Sequence, residues 1–211
     1  LHYSTSRNYL QRMNNNKVKC MKIAKKYGKE YWDGARKYGY GGYKYIPGRW
    51  TTVAKKIIRK YSLNNNSKIL DIGSGKSFLL YEIKKILPNI GIKGVDISKY
   101  GISKSKPDIK KYLSIHKAQN KFSVKNNYFD LVMSLGCLHN LELFDLYKSI
   151  KEIQRIGKNK FIMVESYRNE QELFNLQCWA LTCETFLSNK EWAWVLKQCK
   201  YSGDYELIYF K

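Results

Sequence analysis

The sequence feature that most constrains the fold is the stretch Lys68–Ser77, in which an apolar run ends in Asp71 and the turn Gly73-Ser74-Gly75 follows. A helix-like segment begins directly after it, at Phe78. Glycine lets the backbone turn sharply and approach a ligand, and the start of a helix offers free N–H groups. The stretch therefore predicts a strand, a binding turn and a helix of an α/β fold.

A second acidic residue stands at the end of the next apolar run. Asp96 follows Ile92–Val95, about twenty residues beyond the turn, where nucleotide-binding folds place a carboxylate for ribose hydroxyls. The third glycine of the dinucleotide fingerprint is missing after this turn. Asp71 before the turn suits a ligand with a cationic amino-acid end and no phosphate. S-adenosylmethionine (SAM) is such a ligand, so we expect SAM as the cofactor and S-adenosylhomocysteine (SAH) as its product.

Strand-like and helix-like segments alternate along the chain. Strands are predicted at 68–72, 91–96, 112–117, 128–135, 160–165 and 205–210. Helices are predicted at 7–27, 51–61, 76–87, 99–106, 143–156, 170–186 and 190–198, with Thr51 or Thr52 capping the second of them. This alternation predicts an α/β fold with a doubly wound, mostly parallel, Rossmann-like sheet of six strands.

Residues 27–50 differ from the rest of the chain in their density of tyrosine and glycine. This composition does not suit a helix interior, so we expect an ordered loop or a short hairpin. Residues 1–50 are predicted to form an N-terminal extension that acts as a substrate lid, and residues 51–211 the SAM-binding domain. Tyrosines offer ring faces and hydroxyls to a polar substrate. The candidate substrate-binding residues are Asp33, Arg36, Tyr38, Tyr40, Tyr43 and Arg49.

The cysteines and the apolar runs restrict the class of protein. The 211-residue chain has five cysteines and no Cys-x-x-Cys pair. We therefore expect reduced thiols, a cytoplasmic protein and no metal site. No apolar run reaches the roughly 18 residues of a membrane-spanning helix, and the polar N-terminal segment is unlike a signal peptide.

The formal net charge of +22 leaves two interpretations open. A strongly basic chain attracts nucleic acids and other anions. Asparagine, lysine, isoleucine and tyrosine are abundant throughout, however, and the lysines are scattered rather than gathered in one block. Compositional bias, as in a genome rich in A and T, therefore explains the charge equally well.

Three segments together resemble the motifs of one family, the class I SAM-dependent methyltransferases, and in particular its small bacterial members. The segments are Ile69–Gly75, Val95–Ser98 and Phe129–Leu141. They occur in the family's order and spacing, and the resemblance covers residues 50–165.

The resemblance implies a set of cofactor-binding residues, which are Asp71, Gly73, Ser74, Gly75, Asp96, Ile97, Ala118, Gln119, Ser134 and Leu135. Asp96 would accept hydrogen bonds from the ribose hydroxyls, and Ile97 would pack on the adenine. Lys117 stands where the family often has an acidic residue. Gln119 is then the candidate for the contact at the adenine edge.

Methyl transfer is an in-line displacement that needs alignment and, for a hydroxyl or a charged amine, loss of a proton. His139 is the candidate base, because it follows the fourth strand on the cofactor side and titrates near neutrality; alternatively, it is structural. Glu165 ends the fifth strand and either acts on the substrate or pairs with Arg168. Tyr31 of the extension is the third candidate catalytic residue.

The motif Asn/Asp-Pro-Pro-Tyr of amino-methylating nucleic-acid enzymes is absent, and Ser134–Cys137 stands in its place. We therefore expect a small polar acceptor, with O-methylation of a sugar-like or carboxylate metabolite. An RNA- or ribosome-directed methyltransferase is the alternative enzyme, motivated by the charge. A non-catalytic scaffold or regulatory protein with the same fold is the alternative from another class. The sequence does not indicate the oligomeric state.

Overall fold

A computed structural model describes residues 7–211, so the first six residues of the predicted extension lie outside the described range. Within that range six strands form one sheet: β1 (Lys68–Ile72), β2 (Gly91–Asp96), β3 (Leu113–Ile115), β4 (Phe129–Leu135), β5 (Gly157–Glu165) and β6 (Asp204–Ile208). The strand order is β3-β2-β1-β4-β5-β6, and all neighbouring pairs are parallel. The predicted doubly wound α/β sheet is confirmed.

The α-helices of the described range are α1 (Tyr9–Asn14), α2 (Lys17–Ala24), α3 (Lys29–Asp33), α4 (Thr51–Lys60), α5 (Phe78–Ile86), α6 (Lys99–Ser103), α7 (Leu143–Ile156), α8 (Glu170–Trp179) and α9 (Asn189–Gln198). Short 3-10 helices lie at Arg36–Tyr38, Pro107–Tyr112 and Leu138–Asn140. The helices on either side of the sheet follow the predicted order, with shifts at their ends.

The largest shift is at α8, which was expected to run to residue 186 and ends at Trp179. The chain beyond it bonds to another loop instead of continuing the helix. The N–H groups of Glu184 and Thr185 both donate to the carbonyl of His139, and the Thr185 hydroxyl donates to the carbonyl of Leu141 at 2.6 Å. These tertiary hydrogen bonds replace the helical ones, so local propensity is overridden.

The prediction of one continuous helix over residues 7–27 is wrong. Asn16 adopts a left-handed conformation with φ of +47° and separates α1 from α2. Asparagine tolerates this conformation because its short side chain can bond to nearby backbone. Asn15 and Asn16 therefore form a break between two short helices.

Residues 27–50 contain no strand, so the predicted hairpin is wrong; they form a loop that includes α3 and the 3-10 helix Arg36–Tyr38, which were not expected. The loop begins with α3 and then folds back onto it. The N–H of Tyr40 donates to the carbonyl of Tyr31 at 2.8 Å, and the N–H of Tyr43 donates to that of Trp32 at 3.0 Å. The return is possible because Gly41 and Gly42 take positive φ values, of +71° and +100°.

The prediction that Thr51 or Thr52 caps α4 is wrong. The helix begins at Thr51 itself, and Trp50 precedes it without a capping side-chain bond. The Thr51 hydroxyl instead donates to the buried carboxylate of Glu82 on α5, at 2.6 Å. The threonine thus joins the end of the extension to α5.

Alternate residues of β1 pack in two apolar layers, one on each face of the sheet. Leu70 and Ile72 pack in the layer that contains Trp192 of α9. Ile69 packs in the opposite layer, against Ile83 of α5. Because both faces are covered, the strand is a nearly continuous apolar run. The carboxyl ends of β1, β2 and β4 meet at one edge of the sheet, where ligands bind in folds of this kind.

Within residues 7–211, no helix is both long and apolar enough to cross a bilayer. The same part of the chain holds no group of three His, Cys, Asp or Glu side chains placed to bind a metal ion. All five cysteines are free thiols, and four of them are buried.

Candidate functional site

The glycine turn connects the carboxyl end of β1 to α5. The N–H groups of Gly73 and Ser74 donate to the carbonyl of Val95, at 2.8 and 3.0 Å, which ties the turn to β2. Gly73 has a left-handed φ of +77°, and a Cβ there would lie 2.4 Å from the Sγ of Cys137. Glycine is therefore required at Gly73 for both its conformation and its close contact.

Asp96 is held by the backbone of two neighbouring turns. Its Oδ2 accepts a hydrogen bond from the N–H of Gly75, and its Oδ1 one from the N–H of Ser98, both at 2.7 Å. Burial raises the pKa of Asp96, and these backbone bonds oppose the rise. A carboxylate oxygen has two lone pairs, so each oxygen retains one for a ribose hydroxyl.

Asp71 is the least satisfied group of the site. The residue is 5% exposed, and its Oδ1 is buried without a hydrogen-bond partner. Burial, together with the charge of Asp96, raises the pKa of Asp71 to about 7. An unpaired buried carboxylate is unfavourable, and a cation beside it removes the penalty. The amino-acid end of SAM carries an ammonium group, so the residues present fit this cofactor.

Two adjoining clefts lie between the glycine turn and the extension, with volumes of about 270 and 80 Å³. Both are lined by Trp32, Tyr40, Gly73 and Leu135. The larger cleft also has the predicted residues Asp96, Ile97, Ala118, Gln119 and Tyr31. The smaller one also has Asp71, Ser74, Gly75 and Tyr43. The residues expected at the two ends of SAM therefore lie in neighbouring compartments.

An aromatic pair from the extension forms the wall between these compartments. The rings of Trp32 and Tyr40 are stacked, with centroids 5.2 Å apart and planes 5° apart. Trp32 lies against the glycine turn, since a Cβ on Gly75 would be 2.6 Å from its ring. Its Nε1 donates to the hydroxyl of Ser98 at 2.8 Å. The extension is thus built into the cofactor site.

The adenine edge is supported by a carboxylate on α7. The Nε2 of Gln119 donates to the Oδ2 of Asp145 at 2.9 Å. Because a carboxylate accepts but does not donate, the Oε1 of Gln119 is left as an acceptor on the side of the larger cleft. An exocyclic amine needs such an acceptor, so the geometry agrees with the role expected for Gln119. Lys117 also lines this cleft.

His139 and Glu165 contact each other but line neither cleft. The Nδ1 of His139 accepts the N–H of Glu165 at 3.2 Å, and its Nε2 lies 3.5 Å from the Glu165 carboxylate. Burial lowers the pKa of His139, and the charge of Glu165 partly opposes this. Neither ring nitrogen faces a substrate space, so the arrangement favours the structural alternative over the base.

The alternative partner for Glu165 was Arg168, and that pairing is not formed in the structure. The guanidinium of Arg168 bonds to the carboxylate of Glu172 on α8. Glu165 is left beside His139, at the end of β5.

Tyr31, the third catalytic candidate, lines the larger cleft. Burial raises the pKa of Tyr31 well above its ordinary value, and the nearby hydroxyl of Tyr40 adds to this rise. The Tyr31 hydroxyl therefore stays protonated near neutral pH. It suits a hydrogen-bond donor or acceptor to a substrate rather than a proton acceptor.

Four predicted substrate-binding residues line neither cleft: Asp33, Arg36, Tyr38 and Arg49. Arg36 bonds to the carbonyl of Gly39 at 2.5 Å and covers the ring of Trp179. Tyr38 packs against the cluster of Cys20 and Leu181. Arg49 is exposed, and Asp33 forms an ion pair with Lys76. The structure brings only Tyr40 and Tyr43 of this group to the site.

Ser134 was expected to flank the cofactor and lines neither cleft. It is fully buried, and its hydroxyl donates to the carbonyl of Ile72 at 2.9 Å. The bond joins β4 to β1 below the glycine turn. Ser134 therefore supports the site from the sheet.

Sequence reasoning missed several residues of the larger cleft, namely Trp32, Cys137, Asn140 and Lys25. Trp32 lies within the noted tyrosine-rich stretch, but nothing in the sequence indicates which aromatic ring reaches Gly75. Asn140 follows His139, and its Oδ1 is buried without a partner. Lys25 and Glu184 form an ion pair at 2.5 Å. These two residues are 159 positions apart, so only the fold brings them together.

The family relationship of the chain follows from its sequence profile as well as its site. The profile described as Methyltransferase domain matches residues 63–208, more than half of the chain. The chain belongs to this methyltransferase family. The matched residues include the glycine turn and Asp96. A comparison with curated protein sequences found no match.

Solved structures resemble the methyltransferase domain. A SAM-dependent methyltransferase of Archaeoglobus fulgidus is 20% identical, with a TM-score of 0.54 over 72% of this chain and 69% of that protein. A Galdieria sulphuraria protein, provisionally assigned as a sarcosine dimethylglycine methyltransferase, is 14% identical, with a TM-score of 0.56 over 72% and 59% of the two chains. Both show a shared fold.

A third structure is closer in sequence but matches a shorter region. It is a protein of Methanococcus maripaludis, provisionally assigned as a SAM-dependent methyltransferase, with 25% identity and a TM-score of 0.47. The match covers 55% of each chain, so this chain spans about half the length of that relative.

Proposed function

We propose that the protein transfers the methyl group of SAM to an oxygen atom of a small polar acceptor, and that a carboxylate metabolite is the best candidate. The observation that carries the proposal is the cleft of about 270 Å³ between Asp96 and the aromatic wall. Sites that bury small ligands are commonly about 300–1,000 Å³. The cleft lies just below this range and also has to hold the adenosine end of SAM, so the space left favours a small acceptor over a folded RNA.

The residues of the two compartments have distinct tasks in this proposal. SAM supplies an electrophilic methyl group on a sulfonium sulfur. Asp96 binds the ribose hydroxyls, and the carboxylate of Asp71 balances the ammonium of the amino-acid end. Gln119 accepts a hydrogen bond from the adenine edge. The wall of Trp32 and Tyr40 excludes water and limits the positions open to an acceptor, which favours in-line attack.

The candidate base His139 is engaged by Glu165 and lines neither cleft, which favours an acceptor that is already ionised. An alcohol must lose its proton on transfer, but both ring nitrogens of His139 are engaged. A carboxylic acid is ionised near neutral pH and needs no base. Lys117 lines the larger cleft and attracts an anion, whereas the charge of Lys25 there is balanced by Glu184. The unpartnered Oδ1 of Asn140 offers an acceptor to a hydroxyl elsewhere on the same substrate.

The test is a search for methylated product with isotope-labelled methyl SAM. The protein is incubated separately with a small-metabolite fraction and with total RNA, and labelled products are identified by mass spectrometry. The proposal expects label in small carboxylate esters, and no labelled metabolite from the Asp96→Ala variant. Label in RNA alone would establish the alternative enzyme. Binding of SAH without label in either fraction would point to the non-catalytic alternative.

A further inference from the structure

Lys76, directly after the glycine turn, is a buried lysine whose ammonium group turns away from the cofactor carboxylates. Only 4% of its side chain is exposed. Its Nζ donates to both carboxylate oxygens of Asp33, at 2.7 and 2.8 Å, and to the carbonyl of Tyr43 at 2.7 Å. Asp71 keeps an unpartnered oxygen although this cation belongs to the same turn. The ammonium group of Lys76 therefore bonds to residues of the extension.

Asp33 collects further bonds from the surrounding elements. Its Oδ2 accepts the hydroxyl of Tyr100 on α6 at 2.9 Å, and its Oδ1 accepts the N–H of Tyr43 at 3.2 Å. Burial acts to raise the pKa of Asp33, but the bonds from Lys76 and Tyr100 outweigh it and lower that pKa. Asp33 is thus ionised near neutral pH, and the pair with Lys76 is charged on both sides.

The two partners of Lys76 are the two ends of one loop. We name residues 33–43 the roof loop. It begins next to Trp32, which covers Gly75, and it contains Tyr40, which stacks on Trp32. Lys76 therefore bonds to both ends of the loop that carries Tyr40, one of the two rings of the wall between the compartments.

From this arrangement we propose that Lys76 is a positioning residue for the cofactor, which acts through Asp33 and Tyr43 to hold the roof loop closed. The inference rests on the proposed function of the cleft. A cofactor that reaches both Asp71 and Asp96 must contact both compartments, whose shared wall is Trp32 and Tyr40. In this proposal the roof loop opens to admit the cofactor. The bonds from Lys76 to Asp33 and Tyr43 then hold the loop in its closed position.

The test compares variants that break the pair from either side, Lys76→Met and Asp33→Asn, with the double variant. SAH affinity is measured by calorimetry, and its dissociation rate by stopped-flow tryptophan fluorescence. We expect each single variant to weaken SAH binding roughly tenfold, mainly through faster dissociation. Because both remove the same interaction, the double variant should be no weaker than the weaker single variant.

A control breaks an ion pair of similar length at the opposite edge of the sheet, where the lysine is exposed. Lys158→Met removes the bond from Lys158 to Asp130, which is 2.8 Å long. SAH affinity and dissociation rate should remain at the wild-type values in this variant. A milder variant, Tyr100→Phe, removes one bond to Asp33 and leaves Lys76 paired. Tyr100→Phe should weaken SAH binding by about two- to fivefold. This variant allows the proposal to be tested even if Lys76→Met does not fold.

The outcomes separate this inference from the proposed function. Folded Asp33→Asn and Tyr100→Phe proteins with wild-type SAH affinity and dissociation rate would overturn the positioning role alone. A loss of thermal stability with unchanged SAH binding would likewise make the pair merely structural. Failure of the wild-type protein to bind SAH would overturn the proposed function. Faster hydrogen exchange of the roof loop in the variants is expected, and unchanged exchange would also count against the inference.

Discussion

Asp71 shows at the scale of one residue why this site calls for a cation. Its carboxylate is buried and feels the charge of Asp96, and its Oδ1 has no hydrogen-bond partner. In the absence of a ligand the group gains by holding a proton, so its pKa rises to about 7. An ammonium group would favour the ionised form. The carboxylate is therefore poised to couple ligand binding to proton release.

The first prediction concerns the pH dependence of this coupling. The ionised fraction of a group with a pKa of about 7 rises from about a tenth at pH 6 to about nine tenths at pH 8. Because the ionised form binds the ammonium, SAH affinity should rise by about tenfold over this range. Asp71→Asn should lose this increment. Calorimetric titrations of both proteins at each pH measure it, and parallel pH profiles would contradict the role of Asp71.

His139 shows what a sequence does and does not reveal about a site residue. Its place after β4 was predicted from the motif, and that place is confirmed. Its function depends on which way the ring turns, and the ring turns toward the N–H of Glu165. The orientation of the ring is set by packing between β4, β5 and the loop after α8. Local sequence patterns do not reveal such packing, because these segments are distant in the chain.

The second prediction follows from this placement. His139→Ala leaves the Glu165 N–H unsatisfied and opens a cavity, so the free energy of unfolding should fall by about 2–4 kcal/mol. SAH affinity should change by less than about threefold at a temperature where the variant is folded. Denaturant titration and calorimetry measure the two effects. His116→Ala, at a histidine that lines the larger cleft, is the control and should cost less than about 1 kcal/mol.

At the scale of elements, the extension is the part that sequence reasoning described least well. Its composition predicted an ordered loop over the substrate, but α3, the break at Asn16 and the position of Trp32 were not predicted. These features depend on bonds to distant residues, such as the one from Trp32 to Ser98, 66 positions along the chain. The central sheet elements were easier, because β1 and β4 are local apolar runs buried on both faces.

The third prediction tests the contact between the extension and the glycine turn. A Cβ on Gly75 would meet the Trp32 ring at 2.6 Å, whereas one on Gly48 has no atom within 4 Å. Both glycines have positive φ values, so both alanine variants carry backbone strain. Gly75→Ala should also displace Trp32 and weaken SAH binding by more than about tenfold, and Gly48→Ala should leave binding unchanged. Equal affinities for the two variants would contradict the account of Trp32.

At the scale of the whole molecule, two buried charges join the extension to the methyltransferase domain. Lys76 binds Asp33, and Glu82 of α5 accepts the hydroxyls of Tyr45 and Thr51. Glu82 is 1% exposed, so its separation from these partners would leave a buried charge bonded only to the partly exposed Lys85. The extension and the domain should therefore behave as one cooperative unit, although the sequence suggested a division near residue 50.

The fourth prediction follows for unfolding. In urea, tryptophan fluorescence and far-UV circular dichroism should give coincident transitions. The fluorescence reports Trp32 and Trp50 of the extension together with Trp179, Trp192 and Trp194 of the domain, and the dichroism reports the helices. Glu82→Gln should lower both midpoints together, by about 1–3 kcal/mol in free energy of unfolding. An earlier transition for fluorescence would show that the extension unfolds on its own and would contradict this view.

The central claim is that SAM binds between the carboxyl edge of the sheet and the extension, with Asp96 on its ribose. Titration of the wild-type protein and the Asp96→Ala variant with SAH in a calorimeter tests this claim most directly. The account predicts one SAH per chain with a dissociation constant in the range of about 1–10 µM. It also predicts a weakening of at least about tenfold in Asp96→Ala, because hydrogen bonds to a charged group are lost. Absence of binding to the folded wild-type protein, or equal affinity in the variant, would contradict it.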